Sequence, residues 1–218
     1  MTGRNKNNHS RDRILSRLEG KEYRPWHENW PSEVPEGDVF PPVDDPLAMF
    51  RDELTSLGGE VFVEEGEGAL YKRLKEIVSK RGWKVLFTGD NQIERKLDQW
   101  DIPVRQFVST NDEPEAGVTG CEALVARTGS VMVSSAGASG RQMNIFLPVH
   151  IVVAGLDQVV SSIADGFRMV RENHSHLPSQ ISLISGPSRT ADIEKTLVMG
   201  AHGPGELIVL IDAGPENS

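Results

Sequence analysis

From Pro46 onward the apolar positions keep a regular rhythm. Leu47, Phe50, Leu54 and Leu57 recur at helical spacing before Gly58-Gly59, which predicts a helix over 47–57. A strand over 61–63 follows, then a helix over 69–78 carried by Leu70, Leu74, Ile77 and Val78. The alternation continues with a strand over 83–87, a short helix over 92–97 and a strand over 104–108. Helices alternating with strands at this spacing predict βαβ units, right-handed crossovers and a largely parallel sheet.

The middle of the chain breaks that rhythm. Apolar triplets at 124–126 and 131–133 flank Arg127-Thr128-Gly129-Ser130, which predicts a strand pair or a sharply turned strand. A small-residue loop spans 134–140 and leads to Arg141. The continuous apolar run 150–154 reads as a central, buried strand. Val159, Val160, Ile163, Phe167 and Val170 share one helical face, which predicts a helix over 156–171. Between the apolar runs 181–184 and 207–211 the chain reads as tight turn, short helix and glycine-rich turn. The expected fold class is α/β, a three-layer α/β/α sandwich with a mostly parallel sheet.

Before Pro46 the pattern differs. Ile14, Leu15 and Leu18 give a short amphipathic helix over 10–19, and residues 20–46 hold six of the thirteen prolines together with Trp26 and Trp30. Proline removes donors and fixes φ, so this segment is no long regular element. The expected division is an N-terminal helix and Pro/Trp-rich arm over 1–45 and an α/β domain over 46–218. The two tryptophans pack either on a neighbouring subunit, as in a homo-oligomer, or on a partner, or back on their own domain.

Composition narrows the function classes. The 218 residues are 38% hydrophobic, and no apolar run approaches the eighteen or so residues that a membrane helix needs. The basic N-terminus has no apolar stretch behind it, so no secretory signal and no membrane role are expected. One cysteine, Cys121, excludes an internal disulfide and a four-thiolate metal cluster, which fits a cytoplasmic protein. Net charge is −9, against general nucleic-acid binding. That charge is uneven: seven basic against three acidic residues over 1–24, one against twelve over 25–68. Fingerprints for dinucleotides (G-x-G-x-x-G), nucleotide phosphates (G-x-x-x-x-G-K-[ST]), zinc (H-E-x-x-H) and an esterase elbow (G-x-S-x-G) are all absent.

The chemistry gathers in the turns. Gly186, Pro187, Ser188, Arg189 and Thr190 stand at the mouth of the expected short helix, and His202 and Gly203 lie just past its end. Free N–H groups at a helix start, with hydroxyls and an arginine beside them, suit a small carboxylate or phosphate. Equally, Thr190 is an N-cap, Asp192 and Glu194 complement the helix dipole, and Gly200 closes the helix. His202 and Asp192 are the candidates for proton transfer. Thr128-Gly129 and the loop 134–140 are further places where small residues permit close approach of a ligand. His150 opens a buried strand, while His174 and His176 lack partners for a ligand set, so no metal site is expected. Cys121 is a nucleophile candidate, or an inert buried thiol.

GPSRTADIE at 186–194 and GAHGPGEL at 200–207 occur in order after GVTGCEALVARTGSVMV at 117–133 and LPVHIVVAG at 147–155. Together these motifs closely resemble the LUD (lactate-utilisation) domain family, LutC/YkgG-like. The resemblance implies a fold like the NagB/RpiA/CoA-transferase superfamily. It also implies a non-redox subunit of a system that oxidises lactate to pyruvate, with the iron–sulfur clusters in partner subunits and no cofactor in this chain. Arg127 departs from the pattern, since members often carry an acidic residue there. The alternative is a stand-alone enzyme acting on a phosphorylated or CoA-linked small molecule. It would hold phosphate with Ser188, Arg189 and Thr190 and move protons with His202 or Asp192.

Overall fold

A computed structural model describes residues 16–17, 40–108, 114–137, 143, 147–190, 198–199 and 203–214. The chain divides into two compact units, Met1–Pro42 and Val43–Ser218, and every element named below lies in the second.

Local signals set the helix ends. Helix α1 (Pro46–Ser56) starts with proline in its first turn, and Ala48 N donates to Asp45 Oδ1 at 2.9 Å. Strand β1 (Glu60–Glu64) leads to α2 (Glu67–Arg81), which stops at the left-handed Gly82, φ 71°. After β2 (Leu86–Thr88), Asp90 caps α3 (Asn91–Gln99) by accepting from Gln92 N and Ile93 N. Next come β3 (Val104–Gln106), β4 (Ala116–Thr119) and β5 (Ala123–Val125). A 3-10 turn (Ala126–Thr128) joins β5 to β6 (Ser130–Ser134), and β7 (Val149–Gly155) follows. The expected helix over 156–171 is divided: a 3-10 turn (Leu156–Gln158), strand β8 (Val159–Val160), then α4 (Ile163–Asn173). Ser162 and Asp165 close a reciprocal capping box that sets the start of α4. Strands β9 (Ile181–Ile184), β10 (Arg189–Thr190), β11 (Val198–Met199) and β12 (Glu206–Asp212) complete the described chain.

The main sheet has six strands in the order β1-β12-β7-β4-β2-β3, all parallel. Its side chains alternate between faces as strand geometry requires. Ile208 and Leu210 point with Val149 and Ile151 toward Leu70 and Leu74 of α2 and Ile93 and Leu97 of α3. Leu207, Val209 and Ile211 pack on the other face with Phe50 and Leu54 of α1 and with Leu124, Val131 and Val133. Those last three belong to a second sheet, ordered β8-β5-β6-β9. Its outer face packs on Val170 of α4 through Ala123, Val125 and Met132. The α/β class is therefore as expected, with one layer on the main sheet made of α1 and the small sheet. Each fully buried leucine or phenylalanine contributes about 1.5–3 kcal/mol.

One sequence expectation is corrected. Arg189 pairs with Met199 and Thr190 with Val198 in an antiparallel ribbon, so a helix reaching Gly200 is ruled out by β11 at Val198–Met199. Among the described residues, no helix is long and apolar enough to cross a membrane.

Candidate functional site

In an open parallel sheet, ligands bind beyond the carboxyl ends of the strands, where neighbouring strands send their connections to opposite faces. Strands β2 and β4 meet that condition here. β2 continues into α3 on one face, and β4 continues into the small sheet on the other. At this edge the structure forms a cleft of about 370 Å³. Its walls are Gly120 just after β4, Gly155 and Asp212 at the ends of β7 and β12, Glu67 and Tyr71 of α2, Asp90 just before α3, and Lys96 in the last turn of α3.

Backbone contacts fix the polar groups of the cleft. Asp212 Oδ1 accepts from Gly214 N at 2.8 Å, and Asp90 Oδ1 accepts from Gln92 N at 2.7 Å. Gln158 accepts from Gly155 N and donates to Cys121 O at 2.6 Å, which ties two strand ends together. Lys96 pairs with Glu67 at 2.8 Å. Tyr71 stacks on Trp100, ring centroids 6.0 Å apart. Burial pushes the Tyr71 phenol up to about 12, and the carboxylates of Glu67, Asp212 and Asp90 add to it. The phenol therefore stays protonated at neutral pH.

Behind the cleft lies a fully buried histidine. Thr119 Oγ1 lies 2.9 Å from Gly120 O and 2.7 Å from His150 Nε2, while His150 Nδ1 has no hydrogen-bond partner among the described residues. Burial pushes the His150 pKa down to about 4, so the ring is neutral. As the sequence suggested, His150 stands in a buried strand, and through Thr119 it braces the Gly120 carbonyl at the cleft edge.

The turn residues singled out in the sequence gather elsewhere. Ser188 N donates to Pro204 O at 2.7 Å, which brings 186–188 against 203–205. Gly205 N and Glu206 N both donate to Pro148 O, just before β7. This meeting point is thus at the amino ends of β7 and β12, opposite the cleft, and not at the carboxyl ends. Thr128 and Gly129 join the same side of the molecule. Ser130 Oγ donates to Thr128 Oγ1 at 2.7 Å and lies 2.6 Å from Ser185 Oγ, the residue before Gly186.

Helix α1 accounts for two of these glycines. A Cβ at Gly129 (φ 53°) would come within 2.5 Å of Leu54 N, and one at Gly186 (φ 84°) within 3.0 Å of Leu57 O. The close approach of a helix, as well as the backbone conformation, thus demands glycine at both positions. Asp192, Glu194, Gly200 and His202 lie outside the described residues, as do 138–140 and Arg141.

His174 differs from the sequence reading. It has an acidic partner: Nε2 lies 3.0 Å from Glu122 Oε2, and Ser134 Oγ donates to Glu122 Oε1. Even so, among the described residues no three His, Cys, Asp or Glu side chains are placed to hold a metal ion. Burial, helped by Glu122 and Asp157, pushes the Cys121 thiol well above its ordinary value, so it is a poor nucleophile.

Residues 47–211 match the LUD domain. The chain belongs to the LUD domain family. Relatives include NMB1437 of Neisseria meningitidis serogroup B, 33% identical over 117 residues. That match covers 54% of this chain and 48% of the relative, so it spans only about half the length of that protein. Lactate utilization protein C of Bacillus subtilis is 25% identical over 182 residues, covering 74% of this chain and 75% of that one. Among solved structures, a DUF162 family protein from Deinococcus radiodurans superposes with a TM-score of 0.56 at 18% identity. The superposition covers 77% of this chain and 96% of that one, and it shows likeness of fold. The cleft of this LUD domain escaped the sequence reading because its residues come singly from separate elements. One signal was present: Gly120 directly follows β4, and Asp90 lies two residues beyond β2.

Proposed function

We propose that this chain is the non-redox subunit of a lactate-utilisation system, acting with iron–sulfur partner subunits that take the electrons as lactate becomes pyruvate. The observation that carries this reading is the family match over 47–211, joined to similarity with Lactate utilization protein C along three quarters of both chains. A single cysteine supports it, because the usual cluster needs four thiolates. The redox centres then belong to the partners, and this chain holds none of its own.

In this reading the small carboxylate meets Arg189, beside Ser188 and Gly203 at the amino edge of the main sheet. The Ser188 N–H is already given to Pro204 O. The guanidinium is left as the principal contact, and a charge-assisted bond of that kind contributes about 1.5–3 kcal/mol.

Affinity purification of the full chain from cells that also express its neighbouring genes tests the reading. Iron–sulfur proteins should co-elute in fixed ratio, and Arg189→Ala should lower lactate turnover by the assembly while leaving co-elution intact. A chain that elutes alone, or that turns over a phosphorylated or CoA-linked substrate unaided, would overturn it.

A further inference from the structure

The main sheet ends on β1, and the outer rim of that strand is unpaired among the described residues. Ala213 N donates to Glu64 O, so residues 60, 62 and 64 turn their N–H and C=O groups toward β12. The backbone groups of Val61 and Val63 therefore point away from the sheet, and no described residue bonds to them. An open rim of this kind is a template for another strand. β1 lacks most of the devices that discourage such pairing: its five residues include no proline and no lysine, and its register on β12 is unbroken by a bulge.

A second observation says what fits there. α2 runs back along β1, so that Arg73 pairs with Glu64 at 2.7 Å and Arg81 with Glu60 at 3.2 Å. Between these two ion pairs, Phe62 and Ile77 line a groove of about 380 Å³, and both are only partly buried. The surface therefore reads the same from either end: an Arg–Glu pair, an apolar centre, an Arg–Glu pair. Symmetry about a centre is what two-fold association requires, since each copy presents to the other the same surface that it receives. An unrelated peptide would have to supply both arginines and both carboxylates in matching order.

We propose that β1 pairs antiparallel with β1 of a second copy, which joins two six-stranded sheets into one continuous sheet. Centring the two-fold axis on Phe62 overlaps the whole strand. Val61 of each copy then exchanges both backbone hydrogen bonds with Val63 of the other, and Phe62 faces its own counterpart. At each end, Glu60 with Arg81 meets Glu64 with Arg73 of the other copy, so acids and arginines alternate in sign across the junction. The inference stands apart from the Arg189 turn and from lactate oxidation.

Sedimentation equilibrium of the full chain over a micromolar concentration series tests this, with twice the 24.0 kDa mass of one chain expected at the upper end. Val63→Pro removes the outward N–H and leaves the bonds to β12, so it should weaken the dimer about tenfold or more. Charge variants separate lost complementarity from a damaged fold. Arg73→Glu with Arg81→Glu, and Glu60→Lys with Glu64→Lys, should each be monomeric alone and should pair with one another when mixed. Phe62→Cys should form a disulfide-linked dimer under mild oxidation, because a non-hydrogen-bonded pair sets its Cα atoms about 4.5 Å apart. The wild type, with Cys121 alone, should not cross-link. A single-chain mass at every concentration, wild-type association in Val63→Pro, folded charge variants that fail to pair on mixing, or a folded Phe62→Cys protein that does not cross-link would each overturn the proposal.

Discussion

Replacing Gly129 by alanine should be far more damaging than the same change at Gly82, although both glycines have left-handed backbones. At Gly82, φ is 71° and nothing lies within 4 Å of an added Cβ. Only the backbone penalty then applies, roughly 1–2 kcal/mol for an L residue in this region. At Gly129, φ is 53° and the added carbon would meet Leu54 N at 2.5 Å, Glu53 C at 2.7 Å and Glu53 Cβ at 2.9 Å. Two of these atoms are α1 backbone, so relief requires moving the helix, whose Phe50 and Leu54 are wholly buried. Overpacking of this kind costs about 1–3 kcal/mol more, for a total of about 2–5 kcal/mol. In a domain of this size each kcal/mol lowers Tm by about 2–4 °C, so Gly129→Ala should lose about 10 °C and Gly82→Ala about 4 °C. Urea unfolding of the two variants and the wild type measures the difference directly. Equal losses would refute the packing of α1 on this turn and return Gly129 to consideration as a ligand-facing residue.

Other consequences follow from the same geometry. The folded pKa of His150, about 4, lies below its unfolded value near 6.5, so the unfolded chain binds the extra proton between these limits. Stability should therefore be full above about pH 6.5 and fall by about 3 kcal/mol on acidification to about pH 4. His150→Gln should remove that part of the pH dependence in denaturant titrations, whereas an identical profile would contradict a neutral buried ring. Ser162→Ala removes the acceptor for Asp165 N at the start of α4 and should cost about 1 kcal/mol. A loss beyond about 3 kcal/mol in thermal unfolding would show that Ser162 does more than cap.

Long periodic segments were legible because one physical signal governed each of them. Phe50 and Leu54, at helical spacing, do face the core, and the run 207–211 is a central strand buried on both sides. β4 escaped notice because Ala116-Gly117-Val118-Thr119 offers few strand-forming side chains. Gly117 is small for a reason visible only in three dimensions: a Cβ there would meet Leu147 and Met143. The segment 156–171 misled because Val159 and Val160 fit the helical face of Ile163, Phe167 and Val170. In the structure the two valines pair instead with Leu124 and Val125 of β5, a contact with a distant part of the chain.

The same distinction separates the two candidate sites. The turn motifs 186–190 and 200–205 stand out as contiguous signatures, and they mark the family. Their meeting through Ser188 and Pro204 was not readable from spacing, nor was its position at the amino edge of the sheet. The cleft depends on parallel strand order. That order places Asp90, Gly120, Gly155 and Asp212 side by side, although they are far apart in sequence.

The proposed division of labour is tested most directly by lactate-dependent reduction of an artificial electron acceptor. The assay compares the purified full chain, its iron–sulfur partners and the mixture. The account requires sustained reduction by the mixture and none by this chain alone. Sustained reduction by the isolated chain, or a mixture no faster than the partners by themselves, would contradict it.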